Sequence, residues 1–295
     1  MIVLPDEPVL RRLGLRLQRG VIPEASPAGS RRGPRLGSSR EFIGLRAYQF
    51  GDDLRDLDRA ATLRFNRAHI RQYRQEVEAS LVLLLDASSS MAFGDPSKFE
   101  YGQALAAALG GLALAHHDRV GAAIFGETLS ASLPAGRGHG QWRALRELLE
   151  AVTPRGLTAF AETAAWLPRL GTLRGVAVVL SDFSPPEAFG PGLGRLARSG
   201  LSVVALHLLS PQELDPRLEG EVELADIETG AVRSGWIGAA QRAAYRAALD
   251  GLRREVASLC DDAGVRRVEI WTAIPLLRCL RETLVRAGVL ARTRA

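Results

Sequence analysis

The stretch that most constrains this chain is SLVLLLDASSSM, residues 80–91. Residues 81–85 form an unbroken apolar run of strand length without two-fold alternation. Such a run reads as a strand buried on both faces, in the middle of a parallel sheet. It stops abruptly at Asp86, and Asp86, Ser88 and Ser90 then place one carboxylate and two hydroxyls at alternate positions on the loop that leaves the strand. Open α/β sheets bind ligands at this carboxyl edge. A small hard cation such as Mg²⁺ takes oxygen donors in an octahedron and keeps some of its waters, so this trio supplies part of a site.

Two further oxygen-bearing residues stand where the first three need them. A second fully apolar strand is predicted over 175–180, and it runs into Ser181-Asp182-Phe183, which puts Asp182 on the same carboxyl edge. Thr158 lies in a loop over 154–158 that leads into a helix over 159–167. If these loops converge, Asp86, Ser88, Ser90, Thr158 and Asp182 make an oxygen set. Two carboxylates balance a divalent charge, and neutral hydroxyls leave the ion seeking a negative ligand from outside.

Around these landmarks the pattern alternates. Strands are expected over 119–125, 129–133, 201–209 and 266–272. Helices are expected over 141–152, 187–198, 241–260 and 276–287, with an amphipathic one over 98–115. Strand–helix alternation implies a doubly wound, mostly parallel sheet with helices on both faces. Residues 211–238 interrupt it as a β-hairpin insertion, with alternation at 221–224, a turn at 228–230 and a return over 231–237. Residues 8–17 are apolar-periodic and read as a short helix. Residues 19–40 are rich in Gly, Pro, Ser and Arg, a turn-and-loop composition. In 41–79, Asp56 and Asp58 precede Arg59, Arg64, Arg67, Arg71 and Arg74. Arginine offers a planar fork to carboxylates, so an internal ion-pair network is expected there, with a short strand over 68–73.

The 295 residues are 46 % apolar, enough for a real core and far from a disordered composition. No apolar run approaches the roughly 20 residues that span a bilayer, and the N-terminus lacks a secretory pattern. A cytoplasmic location is expected. The net charge of +5 suits a nucleic-acid partner at first sight. However, Lys98 is the only lysine and every other cationic side chain is arginine. Together with abundant Ala, Gly and Leu, that reads as base-composition bias. Cys260 and Cys279 lack metal-site spacing and are expected to be reduced thiols.

Asp86-Ala-Ser-Ser-Ser90-Met91, Thr158 and Asp182 resemble the metal-ion-dependent adhesion site of the von Willebrand factor A domain. In that family an Asp-x-Ser-x-Ser loop, a threonine and a second aspartate surround Mg²⁺ or Mn²⁺, and the open position takes a carboxylate from a partner protein. All five positions match here. Many relatives carry an acidic residue directly after the threonine, where this chain has Ala159. The wider chain, from about residue 40 to the C-terminus, resembles the bacterial family called domain of unknown function 58. The resemblance rests on Arg46-Ala-Tyr48-Gln-Phe-Gly51-Asp52-Asp53, Asp58, Ala61-Thr62, Arg64, Arg71-Gln72-Tyr73, Lys98-Phe99-Glu100 and the hairpin turn at 225–230. One departure is Arg59, where the family usually has tryptophan.

The composition gives a flexible N-terminal segment over 1–40, and these resemblances imply a small β-rich lead-in subdomain over 41–79 and a von Willebrand factor A-like domain over 80–295. They also imply Mg²⁺ or Mn²⁺ as cofactor. The implied partners are a MoxR-type AAA+ ATPase, with this chain as adaptor or co-chaperone, and a client protein.

An enzyme is not expected. Ser88 and Ser90 lack the glycines of a nucleophile elbow, and no histidine is placed as a base. The glycines at 136–140 lack the Lys-Ser/Thr that follows in a P-loop, and His69, His139 and His207 are too scattered for zinc. His116-His117 suit a helix C-terminus. Trp166 and Trp271 are expected in the core. Two alternatives stay open. One is a Mg²⁺-dependent hydrolase or phosphatase with Asp86 as nucleophile, although position 88 is Ser rather than a second Asp. The other is a metal-free scaffold in which Asp86 and Asp182 only hold loops.

Overall fold

Four strands too apolar to leave either face in water form most of a six-stranded sheet. The computed structural model describes residues 4–18, 40–49, 52–75, 80–167, 175–227 and 230–293. The chain divides into two compact units, Met1–Pro23 with Ala79–Ala295, and Glu24–Glu78. In chain order the elements begin with α1 (Glu7–Arg11) and β1 (Leu15–Leu17). The smaller unit contributes β2 (Arg40–Ala47), α2 (Arg59–Phe65) and β3 (His69–Gln75). The larger unit resumes with β4 (Ser80–Asp86), α3 (Lys98–Ala115), β5 (Arg119–Phe125), β6 (Leu129–Gly136), α4 (Gly138–Glu150) and α5 (Phe160–Trp166). Then come β7 (Gly175–Ser181), α6 (Gly190–Arg198), β8 (Leu201–Leu209), α7 (Pro211–Leu214), β9 (Gly220–Ala225) and β10 (Val232–Ile237). The chain closes with α8 (Ala239–Asp262), β11 (Arg266–Trp271), α9 (Leu276–Arg278), a π turn over Cys279–Thr283, α10 (Leu284–Arg286) and β12 (Leu290–Arg292).

The sheet order is β11-β8-β7-β4-β5-β6. All neighbours are parallel except β5 and β6, which form an antiparallel edge. β4 sits inside the sheet, and all seven of its residues are buried. Leu81, Leu83 and Leu85 face one hydrophobic cluster with α3 and α4, while Val82 and Leu84 face the other with α5, α6 and α8. The expected doubly wound, mostly parallel architecture is therefore what the chain adopts.

Several local readings change. The helix over 98–115 has its expected bounds but is not amphipathic, because it is buried on nearly every side. Gly110 and Gly111 let its neighbours close in, since a Cβ there would meet Leu145 at 2.4 Å and Leu10 at 2.3 Å. Residues 8–17 are not one helix: α1 is followed by β1, which pairs antiparallel with β12. The described part of the segment expected to be flexible, 4–18, is thus folded, with Leu10, Leu15 and Leu17 in the core. Gly136 ends β6, and Gly138 and Gly140 lie in the first turn of α4. In α8, Ala244 and Ala248 are exposed and only Val256 and Cys260 are buried, so the apolar periodicity marks a packed face in its last turns alone. Trp271 is 46 % exposed, not a core residue.

The smaller unit is an antiparallel β2–β3 pair with a register shift between Phe42 and Gly44. Of the acids and arginines expected to pair, Asp58 and Arg71 do, and Asp52 and Arg46 form a pair outside that expectation. Asp58 caps α2 through Ala61 N at 2.9 Å and accepts from Arg71 Nε at 2.8 Å. Asp52 takes two bonds from Arg46. These bonds hold both carboxyls below the usual carboxylate range: Arg46 is the main cause for Asp52, and the Ala61 N–H for Asp58.

Candidate metal site

The three loops expected to converge do so, and backbone hydrogen bonds stitch two of them together. Leaving β4, Ala87 N donates to Phe125 O at 2.6 Å, and Ser89 N donates to Gly156 O at 2.8 Å. In return Arg155 N donates to Ala87 O at 2.8 Å, and Ala159 N donates to Gly126 O at 2.7 Å. Gly126 makes the approach possible, because a Cβ there would sit 3.3 Å from Arg155 O and 3.4 Å from Ala87 O. Gly156 turns the second loop with φ +70°, the left-handed region that glycine enters without strain. Thr158 is thereby carried to the side of the Asp86 loop.

The third loop is tied in by a side chain. Ser181, the last residue of β7, donates its hydroxyl to Asp86 Oδ2 at 2.6 Å and accepts from Phe183 N at 2.8 Å. Phe183 has φ 54°, unusual for a residue with a Cβ. It is held there by aromatic packing: its ring lies 4.8 Å from Phe189, which stacks on Phe160 at 5.2 Å. Asp182 sits at this strained turn, 3 % exposed, with Ser184 N donating to its Oδ1 at 3.1 Å.

The oxygens fall into two states. Asp86 is fully buried and accepts from Ser88 N at 2.8 Å as well as from Ser181. The hydroxyls of Ser88 and Ser90 lie 3.1 Å apart. By contrast, Thr158 Oγ1 is buried and has no hydrogen-bond partner among the described residues. Burial first, and the charge of Asp182 second, push the Asp86 carboxyl well above the usual carboxylate range.

The donor chemistry fits a hard cation. All five candidate side chains offer oxygen, and an ionised carboxylate still has acceptor sites after two hydrogen bonds. A lone buried hydroxyl costs about 1–3 kcal/mol unless something takes it up, and a cation at the carboxylates would do so. Among the described residues no group of three or more His, Cys, Asp or Glu converges as a metal cage. This site therefore has too few carboxylates for a calcium cage and no soft ligand for zinc.

Three participants escaped the sequence reading. Lys98, the first residue of α3, is 2 % exposed and donates to Asp182 Oδ2 at 2.7 Å and to Glu213 Oε1 at 2.5 Å. Burial disfavours its charge, but Asp182 and Glu213 together outweigh that and hold its pKa above the ordinary lysine value. Its being the sole lysine was the available signal. Ser181 looked like a strand end. His207 on β8 is the register partner of Ser181 on one side and of Glu269 on the other. It is wholly buried, and its Nδ1 accepts from Arg267 Nη2 at 2.9 Å. Burial, then the Arg267 charge, push its pKa down to about 4. His207 is therefore neutral near pH 7, with the proton on Nε2 as the Arg267 bond requires. His116, expected only to meet the helix dipole, also holds β1 through Leu15 O at 3.0 Å.

The chain matches the family described as "Protein of unknown function DUF58" over residues 44–255. It is 32 % identical over 234 residues to the uncharacterized protein Rv1480 of Mycobacterium tuberculosis (strain ATCC 25618 / H37Rv), covering 77 % of this chain and 73 % of that protein. The uncharacterized protein Mb1516 of Mycobacterium bovis matches to the same extent, 32 % over 234 residues. Among solved structures it is similar to the conserved hypothetical protein BatB from Bacteroides thetaiotaomicron, with TM-score 0.44 and 17 % identity over 71 % of this chain and 98 % of that one. It is also similar to the SpRpn10 VWA domain, with TM-score 0.40 and 14 % identity over 69 % of this chain and 94 % of that one. No helix among the described residues is long and apolar enough to cross a membrane.

Proposed function

This chain belongs to the DUF58 family, and from that premise we propose that it is a cation-dependent protein-docking module rather than an enzyme. Asp86, Ser88, Ser90, Thr158 and Asp182 would hold Mg²⁺ or Mn²⁺. Such an ion, when bound, supplies an electrophilic position for a carboxylate of another protein. The observation that carries the reading is Thr158 Oγ1, a buried hydroxyl without a partner among the described residues, on a loop hydrogen-bonded to the one that follows Asp86. The chain's own residues do the positioning. Ser181 and Ser88 N fix Asp86 from two sides, and the aromatic-held turn at Phe183 fixes Asp182. The partner that the resemblance implies, a MoxR-type AAA+ ATPase, is the proposed one, with this chain as adaptor or co-chaperone.

The test is binding of the purified chain to a MoxR-type ATPase in Mg²⁺ and in EDTA. Binding is expected in Mg²⁺ only, and it should be lost in Asp86→Ala. Binding indifferent to both changes sinks the reading. Turnover of a generic phosphate ester that disappears in Asp86→Asn would instead favour the hydrolase.

A further inference from the structure

Lys98 is out of place by every local rule. It occupies the first position of α3, where the helix dipole disfavours a cation. It is the sole lysine among 38 lysines and arginines, and it is 2 % exposed. Only tertiary partners explain it there, and those partners are Asp182 and Glu213. An arginine would bring a wide planar fork, whereas an ammonium is a compact point charge with three rotatable donors. A buried ion pair of this kind contributes little net stability, because desolvation offsets the attraction.

The effect of the ammonium falls on Asp182, one of the two carboxylates placed in the candidate site. A fixed positive charge on Oδ2 lowers the negative potential that a second cation meets. Glu213 moderates this. Its Oε1 takes the same ammonium, while its Oε2 accepts from Ser210 N at 2.7 Å in the capping box of α7. Glu213 is thereby anchored and shares the lysine with Asp182.

Resting on the docking-module reading, we propose that Lys98 is a positioning residue of the metal site: its ammonium holds Asp182 in place without a cation and weakens the site's affinity for one. A cation bound against this opposing charge stays less neutralised, and so draws more strongly on a carboxylate from outside. Glu213 sets how much of the lysine's charge Asp182 feels.

The test is titration of the full chain with Mn²⁺ alone, followed by calorimetry and by melting in EDTA and in Mn²⁺. Lys98→Met should bind Mn²⁺ about tenfold tighter than wild type, because a like charge has been removed, while melting lower in EDTA. Glu213→Gln should bind it several-fold weaker, roughly as the loss of one nearby negative charge demands. A lysine that merely braces the fold would lower melting without tightening the metal. If wild type binds Mn²⁺ through Asp86 and Lys98→Met binds it no tighter, the proposal is overturned. Should Lys98→Met fail to fold, Glu213→Gln decides, and unchanged or tighter binding overturns it. If neither wild type nor Lys98→Met binds Mn²⁺ in an Asp86-dependent way, the docking-module reading falls with it.

Discussion

In the Glu24–Glu78 unit Arg46 grips Asp52 at 2.7 and 2.6 Å with the arginine side chain 37 % exposed, whereas Lys98 meets Asp182 at 2.7 Å with side chains only 3 % and 4 % exposed. The bond lengths barely differ, but the surroundings do. Around Arg46 and Asp52 water reaches the pair and screens it in part, so losing a partner there costs less. Around Asp182 and Asp86 each charge depends on its neighbours, because an unpaired buried charge has no solvent to fall back on. Ion pairs that look alike along a sequence are therefore a half-exposed fastening in one unit and part of a buried charge cluster in the other.

That contrast can be attacked in order of expected effect. Asp86→Ala should abolish the stabilisation by Mn²⁺, which for wild type amounts to about 4 kcal/mol at a thousand times Kd. Urea unfolding with and without Mn²⁺ reads this directly, and a variant that keeps the full shift would place the ion elsewhere. Next comes His207, a buried neutral group in the same unit. The unfolded chain takes up this proton near pH 6.5, but the folded chain takes it up only near pH 4. Its contribution is therefore harmless above pH 6.5 and becomes a growing loss of stability as pH falls through that window, on the order of 3 kcal/mol in all. His207→Asn removes this term. Its stability relative to wild type should improve by that amount between pH 7 and pH 4, and parallel pH profiles would show that His207 is not held neutral.

Thr158→Val sharpens the comparison at a single oxygen. The change keeps the shape and deletes a hydroxyl that has no partner among the described residues, so stability in EDTA should rise slightly, by about 1 kcal/mol. The Mn²⁺ shift should shrink at the same time. A lower melting point in EDTA would mean that the hydroxyl is already satisfied. Smallest of all, Arg46→Ala in the half-exposed pair should cost no more than about 1 kcal/mol in urea unfolding. A larger loss there would erase the distinction between the two settings.

The aspartates and serines were legible because they break apolar runs. Residues 81–85 and 175–180 cannot be solvated on either face, so their ends are visible in the chain and their carboxyl edge follows from the parallel sheet. The amphipathic reading of 98–115 failed because periodicity reports one neighbour at a time, and α3 has neighbours on nearly every side. The apolar positions of α8 misled for the opposite reason: Ala244 and Ala248 repeat correctly but face water.

Local chemistry along the chain sufficed for the strand ends, the turn residues and the identity of the oxygen donors, because burial and backbone geometry are short-range constraints. It could not say that Ser181 would reach Asp86, that Glu213 would share a lysine 115 positions away, or that Thr158 would be left without a partner. Those depend on which side chains the folded sheet brings within hydrogen-bonding distance, and no period or motif encodes a distance between residues so far apart in sequence.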